Sequence, residues 1–474
     1  MLKKNTTKKP SELIVKWFSQ VRTWLKAKPK TIEEWAKRKC GVRKLSHFKH
    51  HSKIVPTYRF VDIFQGCERL STSLVGESVA TDFGGSLHSL TTGAEKHEDR
   101  RLRRPSRHAF DIEYGEEEFL PISKFWVVFV GERRVPVILR TMYRANCGFG
   151  SVEVSSPDDT ISEEFLEQIF DVAKLHSIYK GKIVQVSFET EVDPHHGQLV
   201  PAHVLRLNFM NHQPIGSDDI IIEDSVHSTI ERNVFDFHRR RQQLNDVGIP
   251  NKKGLLFFGP PGTGKTFTCK YIYSQLPDVT CLIASGKSLA HIKPLCNVAR
   301  MLQPSLVVLE DVDLVFASRE INLYSSVLGD MLDELDGFQT DDAVTFLLTT
   351  NSIERLEAAI KDRPGRISQC LYFGPPSQPL RERYLRRYVQ DYDSSQLDME
   401  ELVLLTDGTT HAYLKELVFR AVQVALENTD PGDSVEPDGL RLENEHFVIA
   451  HREMTEGRND LAASIIGFGS NQDY

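Results

Sequence analysis

The sequence predicts an α/β domain built on a parallel sheet, preceded by an α+β domain and followed by a helical segment. Three observations predict it. The apolar segments Leu255–Phe258, Leu306–Leu309 and Val344–Leu348 alternate with helical stretches, the pattern of a parallel sheet covered on both faces. Residues 380–451 read as mostly helical. Upstream, strand-like runs gather around a single periodic helix, Ile161–Leu175.

The 474 residues are 40% hydrophobic, 26% charged and 9% aromatic, which excludes a collagen-like, coiled-coil or wholly disordered chain. No run approaches the roughly 18 apolar residues that signal a membrane span. Seven cysteines, sparse and odd in number, form no C-x-x-C pair, so neither a disulfide framework nor a zinc site is indicated and a reducing, cytoplasmic setting fits.

Charge divides the chain. Residues 1–55 carry 16 Lys/Arg against Glu12, Glu33 and Glu34, or +13; the whole chain is −8, so the remainder is −21. This is a basic arm on an acidic body. Within it Leu13, Ile14, Trp17, Phe18, Val21, Trp24 and Leu25 recur at helical spacing beside Lys16, Arg22 and Lys26. Two readings follow: an anionic-surface binder, for a membrane periphery or nucleic acid, or a docking helix that packs on its own domain or a neighbouring subunit.

The elements are expected in this order. Residues 56–72 form a short helix, and 73–108, rich in Gly, Ser and Thr, a long loop. Phe125–Val130 and Val135–Leu139 form a hairpin around Gly131-Glu132; Val184–Phe188 and Val204–Phe209 are strands. His195-His196 lies in a polar turn, with metal binding the lesser reading. Val226–Leu244 reads as a connecting helix. The expected divisions are a basic extension (1–55), an α+β domain (56–215), a connector (216–250), the α/β domain (251–378), a helical lid (379–460) and a tail (461–474).

The strongest chemical signal is Gly259-Pro260-Pro261-Gly262-Thr263-Gly264-Lys265-Thr266, followed by Phe267 at the start of a helix. It fits the phosphate-cradling pattern G-x-x-x-x-G-K-[ST]. The glycines admit close approach of backbone N–H groups, and the helix presents its positive end. Lys265 reaches the β/γ-phosphates and Thr266 offers a hydroxyl to Mg²⁺. Some 44 residues on, Ser305–Leu309 ends in Glu310-Asp311, which places carboxylates at the carboxyl end of a neighbouring strand; one acid holds the metal and the other polarises water.

Residues 220–455 resemble an ATPase module of the AAA+ superfamily, in its AAA branch. The stretches that carry the resemblance are GIPNKKGLLFFGPPGTGKT, SLVVLEDVDLVF, LGDMLDELDGF, LLTTNSIERLEAAIKDRPGRI and TDGTTHAYLKEL, in family order. The resemblance implies a P-loop NTPase fold with a C-terminal helical lid, ATP and Mg²⁺ as ligands, and a ring, usually a hexamer. It implies that Asn351 is the polar sensor positioning the lytic water. It also implies that Arg363 and Arg366 are arginine fingers reaching a neighbouring subunit's nucleotide, and that Gly408–Leu414 is the lid segment. The family's common acidic order is Asp-Glu; here Glu310 takes the metal role and Asp311 the base. That order resembles the mitochondrial AAA ATPase that translocates the folded Rieske protein, and similar bacterial AAA proteins.

A second departure lies in Ala284–Pro304, which has no aromatic residue where many unfoldases carry one. His291, Ile292 and Lys293 are the nearest candidates for pore contacts, and threading of unfolded chain is not the expected main activity. No H-E-x-x-H or G-x-S-x-G occurs, so the chain is not expected to resemble the membrane AAA metalloproteases, and proteolysis would need a partner. The expected function is a ring ATPase that remodels or chaperones an unidentified protein substrate. The alternatives are a nucleic-acid-linked ATPase and a nucleotide-gated assembly with little hydrolysis.

Overall fold

A computed structural model describes residues 29–83, 85–92, 101–144, 148–192, 199–316, 333–334, 337–339, 342–354, 367–427 and 436–456. The arm stripe at 13–25, the pair His195-His196, both arginines of the finger motif and the tail 461–474 lie outside the described residues. The chain divides into two compact units: residues 1–178 with 189–206, and residues 179–188 with 207–474.

In the first unit, α1 (Ile32–Cys40) begins at an N-cap Thr31, whose side chain accepts from Glu34 N, and ends at Gly41 with φ 70°. Then come β1 (Lys49–Pro56), α2 (Thr57–Ser73), β2 (Glu77–Ala80), α3 (Leu87–Thr92), β3 (Arg107–Glu113), β4 (Glu116–Pro121), β5 (Ser123–Val130), β6 (Val135–Arg144), β7 (Phe149–Ser156) and α4 (Asp159–Leu175). The expected loop at 73–108 therefore contains a strand and a helical turn. Both are four to six residues long, too short to show a period.

Five strands form one antiparallel sheet in the order β1-β7-β6-β5-β2. The run FWVVFV in β5 has no alternation because both faces are covered. Trp126 and Val128 join Phe60, Phe64 and Ile169 on one side, while Phe125 and Val127 join Trp35, Phe83 and Leu87 on the other. Arg140 of β6 is fully buried. Its guanidinium donates to the Phe83 and Gly85 carbonyls, pairs with Glu153 at 3.4 Å and lies over Phe83 and Phe125 at 5.0 and 5.1 Å. Glu153 also accepts from Leu87 N at 2.5 Å.

The second unit is built on a sheet of order β14-β10-β13-β12-β11-β8-β9. Its strands are β8 (Ile183–Val192), β9 (Leu199–Phe209), β10 (Lys253–Phe258), β11 (Thr280–Ser285), β12 (Ser305–Glu310), β13 (Val344–Thr350) and β14 (Gln369–Tyr372). The pairs from β14 to β8 are all parallel. The start of β8, which the sequence grouped with the upstream domain, instead pairs into this sheet, with Ile183 opposite Cys281, while residues 189–206 of β8 and β9 remain with the first unit.

The expected connecting helix is broken into α5 (Asp224–Ile230), a π-helical turn (Glu231–Phe235), α6 (Asp236–Arg239) and α7 (Arg241–Asp246). α8 (Lys265–Ser274) and α9 (Ile292–Met301) cross over between strands. The C-terminal helices α10 (Gln378–Val389), α11 (Met399–Leu405), α12 (His411–Leu426) and α13 (Asn444–Thr455), the segment expected to be a lid, pack around Leu385, Leu414, Leu417 and Phe447. Among the described residues no helix is long and apolar enough to cross a membrane.

Removing Arg140 strands a buried carboxylate. Arg140→Met is expected to cost about 3–5 kcal/mol in urea unfolding, and the double change with Glu153→Gln to recover part of it. Equal stability of the single and double variants would contradict this pairing.

Candidate functional site

The parallel registers bring the ends of three strands to one edge. Phe258 lies opposite Thr350, and Leu309 opposite Leu348. Gly259, Asn351 and Glu310-Asp311 therefore leave the sheet at the same carboxyl edge, where parallel α/β sheets bind ligands. The acidic strand β12 is not the direct neighbour of β10: β13 lies between them. Apolar runs alone do not fix strand order, and the expectation of adjacency is corrected on this point.

The loop Gly259–Gly264 needs its glycines. Gly259, Gly262 and Gly264 have φ of 143°, 77° and 95°, a region that side chains disfavour. A Cβ at Gly259 would stand 2.1 Å from the Phe373 carbonyl oxygen, and one at Gly262 2.9 Å from the Ala412 methyl. Thr263 Oγ1 donates to the Pro260 carbonyl at 2.8 Å. Lys265 is 6% exposed and turns its ammonium onto the carbonyls of Gly259 and Pro260, at 2.8 Å each. Burial pulls this lysine down to about 8, against the opposing pull of the Asp311 and Asp313 carboxylates. Thr266 and Phe267 are exposed at the start of α8, while Pro260 is half-buried and Pro261 exposed.

At the acidic end, Glu310 is half-buried, and burial, then the neighbouring Asp311 charge, raises its carboxyl. Asp311 has φ 49°, a conformation of order 1–3 kcal/mol above the usual wells that persists only where surroundings enforce it. Here its N–H donates to Thr349 Oγ1 at 2.9 Å. Asn351 Nδ2 donates to Asp311 Oδ1 at 3.2 Å. Asp313, which the sequence did not single out, is 5% exposed and accepts from Thr350 Oγ1 at 2.9 Å and Asn351 N at 3.0 Å.

Beside the glycine loop lies a cavity of about 490 Å³, lined by Ile221, Val226, Thr263, Tyr372, Tyr384 and His411 among others. That volume falls in the range of small-molecule sites. Tyr384 stacks on His411 at 5.2 Å and donates its hydroxyl to the Ile221 carbonyl. Ala412 N donates to Gly262 O at 3.3 Å. His411 is held down to about 4 by burial, with the charges of Lys265 and Lys415 adding to it. Of this lining only His411 lies in a stretch the family resemblance had marked, Gly408–Leu414; Thr410 caps its helix α12 by accepting from Tyr413 N.

Of the proposed pore residues, Ile292 is 3% exposed and belongs to the core. Lys293 is exposed, and His291 packs on the Phe188 ring at 4.3 Å.

Residues 255–375 match the model of the ATPase family associated with various cellular activities (AAA). The resemblance to AAA ATPases thus lies in the stretch that runs from β10 to just past β14. It is 31% identical over 213 residues to the ATP-dependent zinc metalloprotease YME1 homolog of Schistosoma mansoni, spanning 42% of this chain and 32% of that protein. It is 31% identical over 199 residues to the mitochondrial chaperone BCS1 of Danio rerio (39% and 46% of the two chains). It is 29% identical over 224 residues to the probable mitochondrial chaperone bcs1 of Schizosaccharomyces pombe (46% and 48%). The chain thus spans less than half the length of each of these relatives. The expectation of no resemblance to the metalloproteases is corrected: the similarity exists, although the sequence has no H-E-x-x-H. A catalytic motif can be absent while the ATPase pattern is retained.

The lysine of the glycine loop carries a pH signature. A phosphate ligand favours the charged amine, and free Lys265 loses its proton above about 8. ADP affinity is therefore expected to fall roughly tenfold from pH 7 to pH 9, a range above the phosphate titration near about pH 6. Calorimetry in buffers of different ionisation heat would also register proton uptake. Constant affinity and no proton uptake would contradict the assignment.

Proposed function

We propose that this chain binds ATP with Mg²⁺ and hydrolyses it, in a ring of like subunits, to remodel a protein substrate. The observation that carries the reading is the Asn351–Asp311 contact of 3.2 Å, at the same sheet edge as the glycine loop.

The residues fit the ligands. Lys265 spends its donors on two loop carbonyls; a phosphate is a stronger acceptor for a charged amine. The Thr266 hydroxyl and the Glu310 carboxylate are oxygen donors suited to a hard cation, and these two residues would hold Mg²⁺. When bound, the metal neutralises charge on the phosphate oxygens. Gly259, Pro260, Pro261, Gly262, Thr263, Gly264 and Phe267 frame the phosphates, and the Ile221–Tyr384–His411 cavity takes the base and sugar.

Asp311 accepts the proton of the attacking water. Asn351 fixes the carboxylate by donating to one oxygen and leaves the other for water. Arg363 and Arg366 stabilise transition-state charge on a neighbouring subunit's nucleotide, so each site is completed in trans; a hexamer is the ring the module implies. Contact of the lid with the glycine loop through Ala412 supplies a route by which loss of phosphate changes the lid angle.

Asp311→Asn is expected to retain ATP while turnover falls by about 10²–10⁴, the usual span of a lost general base. Glu310→Gln is expected to weaken Mg²⁺ dependence instead. Turnover per subunit should rise with protein concentration and saturate. Full turnover by Asp311→Asn would remove that residue from the chemistry. Concentration-independent turnover, in protein that centrifugation shows to be monomeric, would overturn completion in trans.

A further inference from the structure

Between β9 and α5 runs an irregular segment, residues 210–223, with a short 3₁₀ turn at Ser217–Asp219. Backbone outside a ladder must find other partners for its polar groups, and here they come from two places. The first is the end of α8, the helix that begins at Lys265. Ser274 Oγ donates to the Lys270 carbonyl at 2.7 Å, so it accepts from Ile215 N at 3.2 Å and from His212 Nε2. Gln275 Nε2 donates to the Ile215 carbonyl at 2.8 Å, and the His212 ring stands edge-on to Tyr273 at 4.7 Å.

The second is α10 and its N-cap. Arg387 pairs with Asp219, the Tyr384 hydroxyl donates to the Ile221 carbonyl, and the N-cap Ser377 N donates to Glu223 Oε1 at 3.4 Å. The surrounding charges agree in sign. The segment exposes Asp218 beside Asp219, and α10 exposes Arg383 one turn before Arg387, while Arg386 is paired within the helix to Glu382 at 2.7 Å. Ile220, between two of these contacts, is 5% exposed and belongs to the core around Phe257 and Ile272. Neighbouring residues thus answer in turn to α10 and to the α/β core, and the segment fastens one to the other. Ile221, Ile222 and Glu223 form a wall of the cavity beside the glycine loop, with Tyr384 also in the lining.

We propose that residues 210–223 are a strap that governs nucleotide release; the inference rests on the reading that this cavity takes the base and sugar. Fastened at both ends, the strap holds α10 against the α/β core and keeps the cavity wall closed. When the Asp219–Arg387 pair parts, the wall and α10 separate and the nucleotide leaves. Asp219 and Arg387 are positioning residues: neither lines the cavity, and they act through their neighbours Ile221 and Tyr384.

The test is stopped-flow release of methylanthraniloyl-ADP from the full chain, chased with excess ADP. Asp219→Arg and Arg387→Asp are each expected to speed release by about threefold, the scale of one exposed ion pair. The double exchange should return it to the wild-type rate, a rescue that general loosening of the fold would not give. Both side chains are exposed, at 42% and 45%, and unchanged melting curves certify the folds. Ser274→Ala, at the far anchor, should also speed release. Glu382→Gln, which breaks the Arg386 pair on the same helix and touches nothing in the strap, should leave it unchanged. Unaltered release in both single variants and in Ser274→Ala would overturn the strap while leaving nucleotide binding intact. So would acceleration that persists in the double exchange, or that Glu382→Gln reproduces. A wild-type chain that binds no labelled ADP would overturn the cavity reading and the strap with it.

Discussion

The buried carboxylate of Asp313 governs the geometry of the ATPase edge. At 5% exposure it requires its two donors, Thr350 Oγ1 and Asn351 N, since a buried ion without partners costs several kcal/mol. Meeting that requirement ties the end of β13 to the turn after β12. It thereby sets the Asn351 side chain beside Asp311, and with Thr349 it holds Asp311 in a left-handed conformation. The left-handed conformation of Asp311 thus sits between two buried anchors, Thr349 and Asp313.

The glycine loop depends on a second constraint, the closeness of the lid. Gly259 is pressed by the chain after β14, Gly262 by Ala412, and Gly264 by the His411 ring at 3.3 Å from where a Cβ would sit. Arg381 anchors the lid in turn, 6% exposed, paired with Asp407 at 2.7 Å and donating to Pro376 O at 3.0 Å. The glycine loop and the C-terminal helices are therefore packed against one another through Ala412 and His411.

Much of this was legible in the sequence. The cradle Gly259–Thr266 and the acids Glu310 and Asp311 were named from local pattern, because each sits where a strand ends and a polar run begins, whereas Asn351 was named through the family resemblance. What was not legible has a common cause. Asp313 looks like one more acid in Glu-Asp-Val-Asp until the fold buries it. Ile221, Tyr384 and His411 come from three distant segments and meet only in space. Ile292, by contrast, was legible: Ile292, Leu295, Cys296 and Ala299 recur at i, i+3, i+4 and i+7, the stripe of an inward-facing helix side. The membership of β8 in the parallel sheet escaped notice because a short apolar run does not declare its partner. Strand order, with β13 between β10 and β12, is likewise a long-range choice.

The most direct test of this account is single-turnover phosphate release by the purified wild-type chain beside Asp313→Asn, with nucleotide affinity measured on the same samples. The account predicts hydrolysis by the wild type. It predicts a loss of at least about tenfold in the variant, the scale of a misplaced catalytic group, with affinity nearly unchanged. Equal hydrolysis by the two proteins, or parallel loss of affinity and hydrolysis, would contradict the claim that Asp313 acts by positioning Asp311 and Asn351.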